Sequence, residues 1–547
     1  MSGVTAFQAP DVETRRGRWW ILVAMVFGLF MPMLDNLVVN VAMPTIQRRL
    51  GAGISELQWI IDAYTLAFAA FMLTGGTLGD IYGRKRLFTT GLAVFSLGSL
   101  ACAMSSNIHE LIAFRIIQGL GGALILPGSL AIITANFQGR ERGAAIGIWS
   151  AISGLAIAIG PLIGGYLVQY VSWESIFFIN VPIGVVAIGL TLAVVPESKD
   201  TSGKRRLDIR GAVTGTLGLF FLVYATIEGN PRGWSNWLII VSYALSAVLL
   251  FAFWSMERRS KAPMLPLRFF RNRTFSAGVA VAACVFFSLF GVMFFFSLYL
   301  QNVKGYSPIG AGERLLPLTV MILLVAPIAG QLSDRFGSRW LMASGTLVLA
   351  AGLAMFLRVG SNASYTTLIL PAMVVISTGI ALTLSPMSAA IMGSQDPTQA
   401  GIASAVQTTS QQTGGVAGVA LLGALITASF DRSFAAKLTA SGFPHPVVRA
   451  ILSKAAKSAA GGALRPSQAP PHVKREVIHT IILAAHESFM HATHTGIYLA
   501  IGFALLASVL SVLFVRNHVT TTTSKPCVPP QETSSLAERA STPARRQ

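Results

Sequence analysis

The chain has 547 residues, 53% of them hydrophobic and only 12% charged. That charged fraction is about half of a soluble domain's, which excludes a water-soluble enzyme or binding module. The formal net charge of +19 would suit a nucleic-acid binder, but the basic residues sit between long apolar runs, where they hold membrane topology, so no nucleic-acid partner is expected.

Arg15, Arg16 and Arg18 precede a first apolar run from Trp19 to Phe30. No small-residue cleavage site follows, so the run reads as an uncleaved first helix. Apolar runs of roughly 20 residues recur to residue 516, and each is long enough to span a bilayer. They predict an all-α polytopic membrane protein with fourteen transmembrane helices. The expected organisation is a cytoplasmic segment over 1–18, a six-helix bundle over 19–195, and linkers with two inserted helices over 196–274. A second six-helix bundle spans 275–516 and includes an external loop over 429–494; a cytoplasmic tail covers 517–547. Lys and Arg concentrate on the side of the N-terminus, which puts both termini in the cytoplasm. Cys102, Cys284 and Cys527 imply no disulfide framework.

The second helix ends in Gly76-Thr77-Leu78-Gly79-Asp80-Ile81-Tyr82-Gly83-Arg84-Lys85-Arg86. The pattern returns at the end of the tenth as Gly330-Gln331-Leu332-Ser333-Asp334-Arg335-Phe336-Gly337-Ser338-Arg339. Two copies of one loop predict two related halves, a construction common in secondary transporters. Positive charge alone would hold topology. It explains neither the paired acids Asp80 and Asp334 nor the paired glycines Gly83 and Gly337. An acid there can accept from a neighbouring helix N-terminus or an arginine in one conformation and release it in another. These loops are therefore read as a cytoplasmic gate.

Ionisable residues inside the apolar runs are the sharpest signal, because each costs at least about 2.5–3.5 kcal/mol at a helix centre. Asp35 lies in the first helix, Asp62 in the second and Arg115 in the fourth. At the α-helical rise all three fall roughly 8–10 Å below the outer end of their helices, so a shared cluster is expected. The fifth helix carries Gly147, Gly160, Pro161, Gly164 and Gly165. Gly160 and Gly164 share a face on which another helix can approach closely, and Pro161 can kink the helix.

The stretch 472–490 reads as an amphipathic helix leading into the last span, and in it His472, His479 and His486 recur every seven residues. No carboxylate or cysteine set accompanies them, so they read as a solvated face and no metal is expected. No P-loop is present, which points away from ATP and toward a gradient-driven carrier.

These motifs resemble the fourteen-helix drug:proton antiporter family of the major facilitator superfamily, the EmrB/QacA type, over roughly 19–516. Gly76–Arg86 is similar to the superfamily's cytoplasmic loop motif. Leu34-Asp35-Asn36-Leu37-Val38-Val39-Asn40-Val41-Ala42-Met43-Pro44 is similar to the family's first-helix motif, with Leu37 at a usual threonine. Arg115-Ile116-Ile117-Gln118-Gly119 resembles the fourth-helix motif, whose arginine is implicated in proton coupling. Gly147 to Gly165 resembles the antiporter motif, with Ala156 at a usual glycine. In Trp173–Pro182, Glu174 and Ser175 replace a usual arginine and tryptophan. The resemblance implies a major facilitator fold and export of amphipathic organic compounds driven by proton entry. It implies no cofactor beyond the proton gradient; the intramembrane charges Asp35, Asp62 and Arg115 are read as the coupling and recognition residues. The alternatives are a dedicated exporter of a lipid, siderophore or self-made antibiotic, and a non-transporting sensor.

Overall fold

The computed structural model describes residues 15–137, 139–199, 208–260, 267–395, 400–446, 448 and 475–516. Residues 1–14 of the expected N-terminal segment 1–18, the tail 517–547, His472, and most of the linker and long-loop centres lie outside the described residues.

Regular structure among the described residues is helical throughout. The first half comprises α1 (Arg15–Leu50), α2 (Ile54–Tyr82), α3 (Arg84–Ala103), α4 (Ile108–Asn136), α5 (Gly139–Tyr170) and α6 (Ser175–Val194). Helices α7 (Ile209–Arg232) and α8 (Trp237–Arg259) follow. The second half comprises α9 (Arg273–Val303), α10 (Pro308–Phe336), α11 (Ser338–Phe356), α12 (Tyr365–Gly393), α13 (Ala400–Ala440) and α14 (Arg475–Phe514). Among the described residues, 12 helices are long and apolar enough to cross a membrane; α2 and α5, the other two, run 29 and 32 residues.

The packing shows the repeat directly. In the first half α1 packs on α5 and α6, α2 on α4, and α3 on α4 and α6. The second half repeats each pairing eight helices later: α9 on α13 and α14, α10 on α12, and α11 on α12 and α14. One close approach recurs in detail. A Cβ on Gly121 of α4 would lie 2.4 Å from the Phe95 nitrogen of α3, and one on Gly379 of α12 would lie 2.3 Å from the Leu349 nitrogen of α11. Lipid supplies no hydrophobic drive between helices, so backbone approach at small residues supplies the packing.

Helices α7 and α8 pack on each other, and α7 also touches α2 and α13. Val223 and Ile227 of α7 join Val416 and Ala420 of α13 in a small buried cluster, with Trp59 of α2 against it. The Trp59 Nε1–H donates to Glu228 at 3.1 Å. The inserted pair therefore leans on the seam between the halves.

Helix α13 runs well beyond the apolar window expected for it, and from Arg475 the amphipathic stretch expected over 472–490 continues unbroken into α14. The reason is continued burial: Phe430, Phe434 and Leu438 of α13 and Ala485 and Phe489 of α14 are all buried, and Lys437 pairs with Glu487 between the two helices. Much of the segment expected as an external loop is thus a helical extension of the second half.

Candidate transport site

The face on which α1 begins carries Arg84, Lys85, Arg86, Arg258, Arg259, Arg271, Arg273 and Arg339, and is called the basic face. Toward the other face, five helices of the first half converge on one buried polar network. Arg115 of α4 is 1% exposed and pairs with Asp35 of α1, itself 1% exposed. The same Arg115 Nη1 donates to Gln118 Oε1 at 2.8 Å, and its Nε to the Ile60 carbonyl of α2 at 3.0 Å. Its guanidinium lies 4.1 Å from the Tyr64 ring centroid and 5.9 Å from that of Phe177. Aromatic faces favour a cation there. Charge, plane and two donors of the guanidinium are thus all used.

Asp35 is held from its other oxygen. Gln118 Nε2 donates to Asp35 Oδ1 at 2.9 Å and to Ser99 Oγ of α3 at 3.1 Å. Asn180 Nδ2 of α6 donates to Ser99 Oγ at 3.0 Å and to Asp35 Oδ1 at 3.5 Å. Ser99 in turn donates to the Phe177 carbonyl at 2.9 Å. These donors replace the water that the carboxyl group lost on burial.

Asp62 is fully buried on α2, two residues beyond the carbonyl that holds Arg115, yet among the described residues neither of its oxygens has a hydrogen-bond partner. The expected cluster is therefore divided in this conformation. Arg115 is committed to Asp35, and Asp62 stands apart from the network.

At the basic face both repeat glycines close turns that only glycine adopts easily: Gly83 has φ +115° and Gly337 φ +82°. The Gly83 N–H donates to the Gly79 carbonyl at 3.1 Å and the Gly337 N–H to the Ser333 carbonyl at 2.9 Å. Each glycine ends one helix and starts the next. Gly76 lies on α2 against Pro127 of α4, with 3.7 Å left to a Cβ. Arg84 reaches the Ala131 carbonyl at 3.5 Å, Lys85 Nζ the Leu192 carbonyl at 2.9 Å, and Arg339 lies 5.2 Å from the Trp340 ring centroid. The side chains of Asp80 and Asp334 lie outside the described residues.

In α5, Gly160 and Gly164 face α1, where a Cβ would meet Leu37 at 3.2 Å and Val38 at 3.0 Å. Gly165 points elsewhere. A Cβ there would lie 2.7 Å from Ile309 Cα and the Pro308 carbonyl of α10, in the other half. One on Gly312 of α10 would lie 2.2 Å from the Pro161 carbonyl. Gly147 has open space around it. The halves meet at this end, opposite the basic face. Ser297 donates to the Asn40 carbonyl at 2.6 Å, Gln301 to the Val41 carbonyl at 2.8 Å, and Gln58 to the Val419 carbonyl at 2.7 Å. One apolar cluster runs through the second half and takes in Leu34–Ile46 and Leu57–Ile61 of the first at this end.

The family model described as Major Facilitator Superfamily matches residues 25–419. The chain belongs to the major facilitator superfamily. Curated relatives include the multidrug resistance protein Stp of Mycobacterium tuberculosis, 36% identical and matching 79% of this chain and 80% of that one. The tetracenomycin C resistance and export protein of Streptomyces glaucescens is 34% identical over 92% of each chain. The methylenomycin A resistance protein of Bacillus subtilis is 36% identical over 74% of this chain and 87% of that one. Among solved structures, a bacterial homologue of the human lysosomal transporter Spinster, inward-facing, covers 92% of this chain and 99% of its own at TM-score 0.62 and 17% identity. A D-xylose-proton symporter covers 91% and 98% at TM-score 0.59 and 14% identity. These structures establish the superfamily fold.

Residues that pattern reading passed over complete the picture. Gln118 and Asn180 lie inside stretches that resemble family motifs, but they and Ser99 are neutral, and no charge marks them for a role. Glu197, in the segment after α6, caps α3: its two oxygens accept from the Lys85 and Arg86 backbone N–H groups at 3.1 and 3.2 Å. A carboxylate at a helix N-terminus answers both the free donors and the dipole. The available signal was an acid closely following an apolar run, next to a loop rich in cations. Glu197→Gln is expected to destabilise the start of α3 by about 1 kcal/mol, read as faster amide exchange at Lys85 and Arg86. Unchanged exchange there would remove Glu197 from the loop's architecture.

Gly165 carries the second local prediction. Gly165→Leu places a side chain where Ile309 and Pro308 already stand, so α5 and α10 must separate. Export is expected to fall at least about tenfold, with a cysteine near Gly165 becoming reactive from the far face, since overpacking a tight contact costs roughly 1–3 kcal/mol. Wild-type export by this variant would show that close contact of α5 and α10 is dispensable.

Proposed function

We propose that the chain is a proton-coupled antiporter that exports amphipathic organic compounds across the cytoplasmic (inner) membrane. The observation that carries this reading is the Asp35–Arg115 ion pair, buried among five helices with a second, unpartnered carboxylate at Asp62 on a neighbouring helix. Buried intramembrane charge is costly and marks ion or substrate pathways. The substrate class rests on the relatives named for resistance and export. The basic face is assigned to the cytoplasm, with both termini there, by the rule that cytoplasmic loops carry the Lys and Arg. Residues 19–195 and 275–516 act as the two moving bodies, 196–274 links them, and the proton gradient is the energy source.

The cycle follows from the network. With the halves joined at the outer face, the transporter faces the cytoplasm and receives substrate there. Substrate binding displaces a proton, Asp35 regains its charge, and Arg115 is drawn into the pair seen here. After reorientation an external proton reaches Asp35 and neutralises it. Arg115 then loses its counter-charge while Ile60, Gln118 and Tyr64 still hold it beside α2, the helix that carries Asp62. Asp62 becomes its alternative partner in the return step. The two repeat loops, with Gly83 and Gly337 as hinges and Asp80 and Asp334 as acceptors, open and close the cytoplasmic side.

The test is a pH measurement in vesicles holding the purified protein: adding substrate must move protons. A sensor or scaffold gives no such signal. A second reading, a dedicated exporter of one antibiotic, is favoured by the tetracenomycin relative, whose match spans 92% of both chains. Resistance profiling over a broad compound panel separates the two, because a dedicated exporter protects against one chemical class.

A further inference from the structure

Pro44 stands inside α1. A residue at that position would ordinarily donate its N–H to the carbonyl four residues earlier, and proline has none to give. The Asn40 carbonyl is therefore left without its helical donor, and a buried carbonyl in that state must find another. It finds one in the other half of the molecule: Ser297 of α9 donates to it at 2.6 Å. One turn further along α9, Gln301 Nε2 donates to the adjacent Val41 carbonyl at 2.8 Å. Ser297 is 1% exposed and Gln301 2% exposed, so both bonds are sealed from water.

We propose that Ser297 and Gln301 are the outer-gate latch of this transporter, and that Pro44 creates the acceptor on which the latch closes. Three features set it apart from ordinary packing. The donors belong to one half and the acceptors to the other. The acceptors are main-chain carbonyls at a proline step. Both side chains come from one face of one helix, four residues apart, matched to two successive carbonyls. Gln58 makes a similar bond from α2 to the Val419 carbonyl of α13, where a Cβ on Gly423 would lie 2.0 Å from Gln58 Nε2. Each half thus sends a glutamine into the backbone of the other.

The chemistry suits a gate. The latch has no ionisable member, so it does not compete for the proton that Asp35 carries. When the outer face is open, water reaches the Asn40 and Val41 carbonyls. When it is shut, Ser297 and Gln301 replace that water. Such an exchange leaves only a small net free energy, so the latch can be broken in each cycle. A latch of this kind biases the equilibrium between facing states without choosing the substrate.

The proposal rests on the alternating-access reading above, and its test uses neither substrate nor proton gradient, so its outcome is independent of proton coupling. Spin labels at Val171, exposed at the end of α5, and Glu313, exposed on α10, report the separation of the halves at this face. In wild type the short distance should dominate. Gln301→Leu removes the donor and leaves the Val41 carbonyl dry in the closed state. The long-distance fraction should then rise about tenfold relative to the short, equivalent to ~1.4 kcal/mol. Ser297→Ala, which deletes a single oxygen, should rise in the same direction. Pro44→Ala returns an N–H to the Asn40 carbonyl and should also favour the open state. A distance distribution that stays at wild type in all three variants overturns the proposal. A lower melting temperature with an unchanged distribution overturns it too, because that is the signature of packing alone.

Discussion

Arg115→Ala is expected to abolish export and to lower the melting temperature of the purified protein more than any other single change in the network. The guanidinium is buried, pairs with Asp35, donates to Gln118 and Ile60, and lies over the Tyr64 ring. Its removal leaves Asp35 charged and dry, the Ile60 carbonyl without that donor, and a void beside Tyr64. Breaking a buried pair by deleting one partner costs about 3–5 kcal/mol, most of it the penalty of the orphaned charge. That origin gives the prediction a sharper form. Asp35→Asn combined with Arg115→Gln should melt higher than Arg115→Ala alone, because no charge is left behind. Arg115→Lys keeps the charge but cannot reproduce the fork that serves Asp35, Gln118 and Ile60 together. It should fold and still export at least about tenfold more slowly than wild type. If the double variant melts no higher than Arg115→Ala, the cost lies in packing and the pair is not the element that matters.

The parts of this molecule that were legible in its sequence are those where one residue is enough to signal a cost. A charge in hydrocarbon is such a case, which is why Asp35, Asp62 and Arg115 stood out before any contact was known. Gly83 and Gly337 stood out because they recur in two loops of one pattern, and each closes a left-handed turn. What was not legible depends on rotation about a helix axis and on partners far away in the chain. Asp35 and Asp62 have the same expected depth, so depth alone cannot decide which one takes Arg115. Gly164 and Gly165 are neighbours in sequence, yet one faces α1 and the other faces α10 across the molecule. Gln118, Asn180 and Ser99 carry no charge and become a network only when α3, α4 and α6 bring them to one point. The extension of α13 was hidden because hydropathy reports contact with lipid, whereas Phe434 is buried by protein. Pro44 was visible, but its consequence lies in Ser297, a residue 253 positions away that nothing local identifies.

Asp35→Asn should fold, bind substrate and release no proton. Asparagine has nearly the shape of aspartate and its carbonyl oxygen can still accept from Arg115 or Gln118, but its NH2 meets a site lined by donors and Arg115 loses its counter-charge, so the melting temperature should fall. What is lost is the charge, and with it the ability to take up and give back a proton. On the proposed cycle a proton leaves before substrate is held, so apparent affinity for substrate should increase as pH rises. In Asp35→Asn that dependence should flatten, because the site has nothing to titrate, and affinity should stay within about tenfold of the weaker, low-pH wild-type value, since asparagine is neutral like the protonated acid. Export against a gradient should vanish while exchange of substrate down its gradient persists. Asp62→Asn is expected to behave differently. Among the described residues neither Asp62 oxygen has a hydrogen-bond partner, so replacing it breaks no described hydrogen bond, and stability should hold or rise. Its effect should appear in the return step, as slower turnover with proton release intact. Substrate-induced proton release from the purified protein, compared among wild type, Asp35→Asn and Asp62→Asn, decides the matter. Undiminished release from both variants would make the Asp35–Arg115 network a structural support and move the coupling site elsewhere.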